Sequence, residues 1–341
     1  NGGEILNPGA AYKVIWQTSA ESVSNVKVRL STNEGASWDT LITSEPWSHP
    51  AGVSTYEWTV PNLPSTLCLI SIEVSGEGSG IWNIDTSNAT FEIKGKTFTS
   101  EVWVSATTGD DINGTGTRES PYQTIANALT WVATGGAVYI NSGTYLEHDI
   151  NWSKFDCVTL KPTPETAVYT IDAQKIGRAI SIEAPVCLTI EGINIINGDM
   201  LDGNGGAIFV PEGGTLYLRQ VNISDCKSHL TGIYDGGGAI FSEGARVYVW
   251  DSTFTSNYCR RYGAVGRGGI WEVTRCVFGS NWTEDSGGVF DHVNLASAVN
   301  CLFYNNSADT FVGVCKNPQS AEKITNCTFY GNTGPGAGVI G

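Results

Sequence analysis

A repeat of 25 residues runs through the second half of the chain and limits what it can fold into. From position 238 onward, glycines recur at this constant step, at Gly238, Gly263, Gly288, Gly313 and Gly338. The motif Phe-x-x-Asn recurs in the same stretch and begins at Phe254, Phe278, Phe303 and Phe329. A fixed period of this size is typical of solenoids, in which each repeat contacts only its neighbours.

The residue types within each repeat predict parallel strands that stack in register. Apolar pairs two positions apart recur, for example Val221 with Ile223 and Cys276 with Phe278. Alternate residues of a strand point to one face, and neighbouring strands lie about 4.8 Å apart, so successive turns would stack these side chains. We therefore expect an interior column of Phe, a column of hydrogen-bonded Asn and a column of Cys. The cysteines, Cys276, Cys301 and Cys327, are interpreted as buried thiols because neighbours in a stack point parallel, which disfavours a disulfide.

The motif Gly-Gly-Ala-Ile occurs at 205–208 and 237–240 and alternates with Phe-x-x-Asn. This combination resembles the repeats of polymorphic outer membrane proteins, the autotransporter adhesins of chlamydiae. The resemblance spans roughly residues 200–341. It implies a parallel β-helix on a secreted or surface-exposed protein.

Residues 1–95 have a different pattern, with short apolar runs bounded by Gly, Pro, Asn or Ser. The runs predict the strands of a β-sandwich at 12–16, 26–30, 56–60, 67–74 and 89–93. The order Ile-Trp at 15–16, Ser-to-Trp at 31–38, Tyr-x-Trp-x-Val-Pro at 56–61 and Asp-to-Ile at 85–93 resembles immunoglobulin- or fibronectin-III-like accessory domains of secreted microbial proteins. Residues 31–38 also resemble one Asp-box of sialidase propellers, and we interpret them as a hairpin turn.

A capping helix is predicted at about residues 121–133, ahead of the first solenoid turn. Ser120 would be its N-cap, Pro121 its first residue, and 135–136, Gly-Gly, its end. This order is similar to the start of many right-handed parallel β-helix domains. The predicted fold is all-β, with a β-sandwich in residues 1–95 and a right-handed parallel β-helix in residues 96–341. Since no polar cap follows the last repeat, we expect the solenoid to continue beyond 341 or to be covered by a partner.

Composition narrows the function classes. The formal net charge is −15, which disfavours a nucleic-acid partner because phosphate binding needs clustered Lys and Arg. No apolar run is long enough for a transmembrane helix. The chain starts at Asn1 without Met and is expected to be a processed form or a fragment. Together with the repeat resemblance, N-x-Ser/Thr motifs favour an extracellular or cell-surface location, and their acceptors would be Asn88, Asn113, Asn151, Asn222, Asn281, Asn305 and Asn326.

The loops after each Asn vary most between repeats and carry aromatic and charged side chains. Variable loops on a rigid scaffold are where binding residues concentrate. A step of 25 residues would also place Arg260 beside Asp285. We predict a glycan- or protein-binding face here, and packing or solvation of turn residues is the alternative. Its predicted residues are Tyr258, Arg260, Arg261, Trp282 and Asp285.

One polar loop could hold a cation. Asp110, Asp111 and Asn113 carry the oxygen ligands that calcium prefers, and an Asx-rich turn is the alternative interpretation. No other cofactor is predicted.

The sequence predicts no catalytic residues as a set. Acidic pairs such as Glu284-Asp285, with the dipeptide Asp291-His292 nearby, do not form the motifs of β-helix polysaccharidases. We therefore favour a structural or adhesive surface protein, including one that assembles into a layer or filament. Its expected partners are other surface proteins or copies of itself, and also glycans. A polysaccharide lyase or glycoside hydrolase and a glycan-binding module are the alternatives.

Overall fold

The computed structural model divides into two compact units, Asn1–Thr97 and Phe98–Gly341. Each unit has its own hydrophobic core and is described by itself. The structure describes residues 2–23, 25–38, 40–45, 49–75, 83–95, 97–152, 157–163, 167–183, 185–230, 232, 236–316 and 323–336. The last predicted repeat glycine, Gly338, lies outside these residues.

The first unit contains one mixed sheet and one long antiparallel pair of strands. The pair joins Ala11–Val23 to His49–Thr59. Apolar residues from both sheets, such as Trp16, Trp58 and Val28, share one core, as in a β-sandwich. The strands of the mixed sheet are, in spatial order, Ile5–Leu6, Phe91–Ile93, Ser65–Ser75, Asn25–Ser31 and Thr40–Glu45, with Asn83–Thr86 beside Ser65–Ser75.

The predicted strands of this unit are confirmed, and so is the hairpin turn. Strand Asn25–Ser31 pairs antiparallel with Thr40–Glu45. Within the turn, Glu34 and Gly35 have φ of 57° and 83°, which is left-handed backbone. The side-chain oxygen of Asn33 accepts a hydrogen bond from the backbone N–H of Ser37 at 2.9 Å. The local polar residues therefore fix the turn, as their types predicted.

The second unit is a right-handed parallel β-helix, as predicted. Its described strands form four parallel sheets, here named S1 to S4, and each turn of the chain visits them in the order S1, S2, S4, S3. The S1 strands are Thr99–Val104, Val132–Ile140, Val158–Pro162, Cys187–Glu191, Thr215–Arg219, Arg246–Trp250, Ile270–Thr274, Asn294–Val299 and Ile324–Thr325. The S2 strands are Gly143–Tyr145, Tyr169–Asp172, Asn194–Ile196, Asn222–Ser224, Thr253–Thr255, Val277–Gly279, Leu302–Tyr304 and Thr328–Tyr330.

The other two sheets have shorter strands. S4 appears only from the third turn onward among the described residues. The S3 strands are Ile150–Trp152, Ile180–Ile182, Ile208–Val210, Ile240–Ser242, Gly266–Arg267, Phe290–Asp291 and Cys315–Lys316. The S4 strands are Asp199–Met200, Lys227–Ser228, Tyr258–Cys259, Trp282–Thr283 and Ser307–Ala308.

The interior columns predicted from the repeat are present. Phe254, Phe278, Phe303 and Phe329 stack in S2 with ring centroids 5.2, 4.8 and 4.9 Å apart. The thiols of the Cys column are free, and the backbone N–H of Cys276 lies 3.5 Å from the sulfur of Cys301. The hydrophobic side chains of successive turns therefore form one continuous core along the solenoid.

The Asn column is a ladder of buried amides. Asn257, Asn281 and Asn306 are each at most 1% exposed. The side-chain amide of Asn257 donates to the side-chain oxygen of Asn281 at 3.1 Å, and Asn306 does the same to Asn332 at 2.9 Å. Because each amide is satisfied only by the next turn, the ladder ties neighbouring turns together.

Conserving space explains the repeat glycines, which sit where turns of the solenoid approach closely. Gly263 has φ of +65°, and a Cβ there would lie 2.2 Å from the carbonyl oxygen of Gly266. A Cβ on Gly288 would lie 2.2 Å from the carbonyl oxygen of Gly313 in the next turn. Any side chain at these positions would collide with backbone, so the period of glycine follows from the period of the coil.

The capping helix is shorter than predicted and starts later. It comprises Ile125–Leu129, and its N-cap is Thr124 rather than Ser120. The backbone of Tyr122 pairs instead with the first S1 strand, since its N–H donates to Trp103 and its carbonyl accepts from Ser105. The Gly-Gly pair at 135–136 does not end the helix but lies at a register shift inside Val132–Ile140. No helix among the described residues has the length and hydropathy needed to cross a membrane.

Candidate functional site

The Asn ladder places one side chain per turn on the outer face of S4. Each S4 strand begins directly after a ladder Asn, so the first strand residue points outward and the second inward. In register along the outer face lie Lys227, Tyr258, Trp282 and Ser307. The inward residues Cys259 and Thr283 are fully buried. The sequence thus fixes Tyr258 and Trp282 as neighbours on a rigid surface.

Tyr258 and Trp282 form a short aromatic ladder across two turns. Their ring centroids lie 4.9 Å apart with an interplanar angle of 33°. The Tyr258 hydroxyl donates to the Glu284 carboxylate at 2.6 Å, and the Trp282 indole N–H donates to Asp309 at 3.0 Å. Burial, and next the bond to Glu284, raises the pKa of Tyr258, so this hydroxyl stays a donor at neutral pH. The polar anchors fix both rings in place.

Trp282 ends this ladder. Its side chain is 38% exposed, and the in-register residue of the next turn is Ser307, whose side chain is small. Among the described residues, the only ring that stacks on Trp282 is Tyr258. The indole therefore keeps one face that no other ring covers.

Charged side chains border the two rings as ion pairs across neighbouring turns. Arg260 lies 3.5 Å from Glu284, and Arg261 lies 3.5 Å from Asp285, in both cases from Nε to a carboxylate oxygen. The predicted register of Arg260 with Asp285 is wrong by one residue. The step between these two turns is 24 residues rather than 25, because Tyr258 pairs with Trp282. The five predicted binding residues nevertheless lie on one surface, which we name the S4 face.

A buried carboxylate lies where the chain passes from S4 to S3. Asp291 is fully buried, and its two oxygens accept from the Ser286 hydroxyl and from Nδ1 of His292. Burial raises the pKa of Asp291, although the hydrogen bonds from Ser286 and His292 oppose that shift. His292 keeps 46% of its side chain exposed. The arrangement orients an imidazole through a buried acid, as a general base requires.

Cationic and aromatic groups surround this His–Asp pair. Arg267 is in register with Asp291, and its guanidinium lies 4.6 Å from the centre of the Tyr262 ring. The Tyr262 ring meets His292 edge-on, with centroids 6.0 Å apart. Lys316 is the in-register neighbour of Asp291 in the next turn. We name Ser286, Asp291, His292, Arg267 and Tyr262 the Asp291 cluster.

Sequence reasoning missed two parts of this region. Arg267, Asp291 and Lys316 form a charged column at the repeat period, so the period applied to charged residues could have found it. His229 stacks obliquely on Tyr258 with centroids 5.4 Å apart, and its Nε2 lies 3.0 Å from Asp199. It escaped detection because the turn after it is lengthened, which breaks the period.

The loop predicted to bind calcium uses its oxygens for backbone amides. Asp110 accepts from the backbone N–H groups of Ile112 and Asn113 at 2.8 and 2.9 Å. Asp111 accepts from the N–H groups of Gln123 and Thr124 at 2.7 and 3.0 Å. The described residues contain no group of three or more His, Cys, Asp or Glu side chains able to hold a metal ion. This geometry is that of the Asx-rich turn, and calcium binding stays a prediction.

The predicted glycosylation acceptors differ in exposure. Asn281 is fully buried, and its side-chain amide donates to Phe254 and to Asn306 in the ladder. The prediction of a glycan at Asn281 is therefore wrong for the folded protein, because the acceptor nitrogen faces the core. The remaining acceptors are exposed and stay predictions: Asn88, Asn113, Asn151, Asn222, Asn305 and Asn326.

Comparisons with known proteins give one structural likeness. No protein-family model matches the chain, and no curated protein matches it. Among solved structures, a rhamnogalacturonan lyase is similar, with a TM-score of 0.37 and 14% sequence identity. The match covers 71% of this chain and 62% of the lyase chain. The resemblances to surface-protein repeats and to immunoglobulin-like domains stay predictions.

Proposed function

We propose that this protein is a secreted or cell-surface adhesive protein that binds carbohydrate through its S4 face. The observation that carries this proposal is the uncovered indole face of Trp282 at the end of the Tyr258–Trp282 ladder. An exposed aromatic face offers a flat apolar surface, which suits the C–H face of a sugar ring. The ladder is held by Glu284 and Asp309, so little side-chain entropy would be lost on binding.

The groups around the rings support the same ligand class. A carbohydrate site combines an apolar platform with a few placed donors and acceptors. Arg260 and Glu284 on one side and Asp309 on the other supply donors and acceptors for hydroxyl groups. The partners that we propose are glycans of a cell surface or matrix, other surface proteins and further copies of this chain.

A glycan array tests this proposal. The wild-type chain should bind a defined subset of glycans, and Trp282→Ala should lose that signal. Trp282→Phe keeps an aromatic face but loses the bond to Asp309, so it should retain binding. Tyr330→Ala removes a 72% exposed ring from S2 and serves as a control. A blank array for the wild-type chain would contradict the proposal.

A second candidate function, cleavage of a polysaccharide, is favoured by the Asp291 cluster. Asp291 holds Nδ1 of His292, which leaves Nε2 as the basic atom on the exposed side. Arg267 and Lys316, in register on either side of Asp291, would stabilise a developing negative charge. The cluster lies one short segment along the chain from the S4 face.

This second candidate predicts measurable cleavage. Incubation with uronate and neutral polysaccharides should release shorter chains, and His292→Ala and Asp291→Asn should both abolish the release. Asp285 binds Arg261 outside the cluster, so Asp285→Asn should leave the rate within about threefold, the change expected of a surface pair. Absence of cleavage across the panel would leave the adhesive function as the better account.

A further inference from the structure

A second pair of aromatic rings lies on S1, on a different sheet from the S4 face. In strand Arg246–Trp250 the residues alternate, so Val247 and Val249 are fully buried while Tyr248 and Trp250 point outward. The two outward rings have centroids 6.0 Å apart and an interplanar angle of 8°. They therefore lie side by side with nearly parallel planes, and we name them the S1 platform.

One side of the S1 platform is covered by the preceding turn. Tyr217 stacks on Tyr248 with centroids 5.1 Å apart and on Trp250 with centroids 6.2 Å apart. The Arg219 guanidinium lies 5.1 Å from the centre of the Trp250 ring. These contacts hold both rings in a fixed orientation.

The opposite side meets no aromatic residue in the next turn. The in-register neighbours of Tyr248 and Trp250 are Glu272 and Thr274. Among the described residues, no ring other than Tyr217 stacks on either member of the platform. The aromatic stack therefore ends at a pair of rings that together form one flat surface.

A groove beside Trp250 carries polar groups of both charges. Asp251 binds Arg275 of the next turn through two hydrogen bonds of 2.6 and 2.8 Å, which lower the pKa of Asp251. Glu191 is in register with Arg219 on the other side of the groove. Two carboxylates and two guanidinium groups balance, so the groove has no charge of its own. Its lining residues are Glu191, Arg219, Gln220, Trp250, Asp251 and Arg275.

We infer that the S1 platform is a second carbohydrate-binding site, and that its ligand is an uncharged polysaccharide. Two coplanar rings match two consecutive sugar rings better than a single side chain does. The balanced groove supplies donors and acceptors for hydroxyl groups without favouring an anion or a cation. A nucleobase could also stack on such rings, but the net charge of −15 opposes binding of its phosphates.

A consequence is that one chain binds two polysaccharide segments. The S1 platform and the S4 face lie on different sheets of one solenoid, so they would engage ligand separately. The inference takes its ligand class from the proposed function but uses none of the residues of the S4 face. Two sites on a rigid body raise avidity for a long polymer and allow chains to be cross-linked.

Isothermal titration calorimetry with oligosaccharides of mixed-linkage β-glucan, xyloglucan and galactomannan tests this inference. With at least one of these, the wild-type chain should bind two equivalents and Trp250→Ala only one, with the affinity lost at that site falling at least tenfold. Tyr248→Ala should have the same effect. Trp103→Ala, which removes a ring stacked on Tyr139 elsewhere in S1, is the matched control and should keep both equivalents.

The outcomes separate this inference from the proposed function. Loss of one equivalent in Trp250→Ala but not in Trp282→Ala would support the S1 platform and count against the S4 face. Unchanged stoichiometry in Trp250→Ala, with loss in Trp282→Ala, would overturn the inference and leave the proposed function intact. No binding of any of the three uncharged ligands would overturn the inference, while the glycan array would still decide the proposed function. Circular dichroism of each variant checks that the fold is kept.

Discussion

Asn281 and Asn306 are joined by two hydrogen bonds across neighbouring turns of the solenoid. The Asn306 side-chain oxygen accepts from the backbone N–H of Asn281 at 3.1 Å and from its side-chain amide at 2.9 Å. Asn281 in turn accepts from Asn257 in the same two ways. The outer residue that follows each ladder Asn is thereby held in register with its neighbour, and this is how the core positions the S4 face.

Asn281→Ala should destabilise the solenoid markedly. It removes the acceptor of two hydrogen bonds from Asn257 and leaves the carbonyl of Phe254 without its donor. Buried groups left unsatisfied cost about 1–3 kcal/mol each, so we expect the apparent free energy of unfolding to fall by at least about 2 kcal/mol. Urea denaturation measures this. Asn222→Ala, at an exposed position of S2, should change it by less than about 0.5 kcal/mol, and equal effects would refute the role of the ladder.

Phe278→Ala should also be strongly destabilising, for a different reason. Its ring is fully buried between Phe254 and Phe303. Truncating such a side chain leaves a cavity and costs about 3–5 kcal/mol. Thermal unfolding followed by circular dichroism should show a lowered midpoint. A comparable loss in Tyr330→Ala, whose ring is exposed, would argue against the stacked Phe column as the source.

The buried thiols should be unreactive in the folded protein. Burial raises the pKa of Cys226 to about 12 and that of Cys259 to about 11, and both side chains are fully buried. At pH 8 almost no thiolate forms at these positions, and no reagent reaches them. Mass spectrometry after treatment with iodoacetamide should find both cysteines unmodified until denaturant is added. Rapid labelling without denaturant would contradict the packing described for these turns.

Glu147 should make stability depend on pH. Burial is the main cause that raises its pKa above the ordinary value of 4.5, and bonds from the N–H groups of Ile125 and Ala126 only partly offset it. The folded state then binds the proton more tightly than the unfolded state, so this contribution to stability is greatest at low pH and falls as pH rises through the raised pKa. The melting temperature of wild type relative to Glu147→Gln should decrease from pH 4 to pH 7. A difference that does not change with pH would contradict this expectation.

The fold was largely predictable because the repeat constrains it strongly. Constant spacing fixes which side chains stack, so the Phe, Cys and Asn columns could be named before the structure. The capping helix was predicted too long because local capping signals at Ser120 compete with pairing between Tyr122 and the first S1 strand. That pairing joins segments distant along the turn and leaves no trace in local sequence.

The candidate site was predicted only where the period holds. Tyr258, Trp282 and their charged neighbours follow a regular step, and the structure places them on one surface. The register of Arg260 failed because one turn is a residue shorter than the others. The S1 platform was not predicted, since Tyr217 and Tyr248 are in register across a lengthened turn that a constant period cannot align.

The most direct test of carbohydrate binding by the S4 face is calorimetric titration of the strongest ligand from the glycan array. Wild type, Trp282→Ala and Trp282→Phe should be compared at equal fold content, as judged by circular dichroism. The account predicts that Trp282→Ala weakens binding at this site at least tenfold, a loss of about 1.4 kcal/mol, while Trp282→Phe stays within about threefold of wild type. Equal dissociation constants for wild type and Trp282→Ala would contradict it.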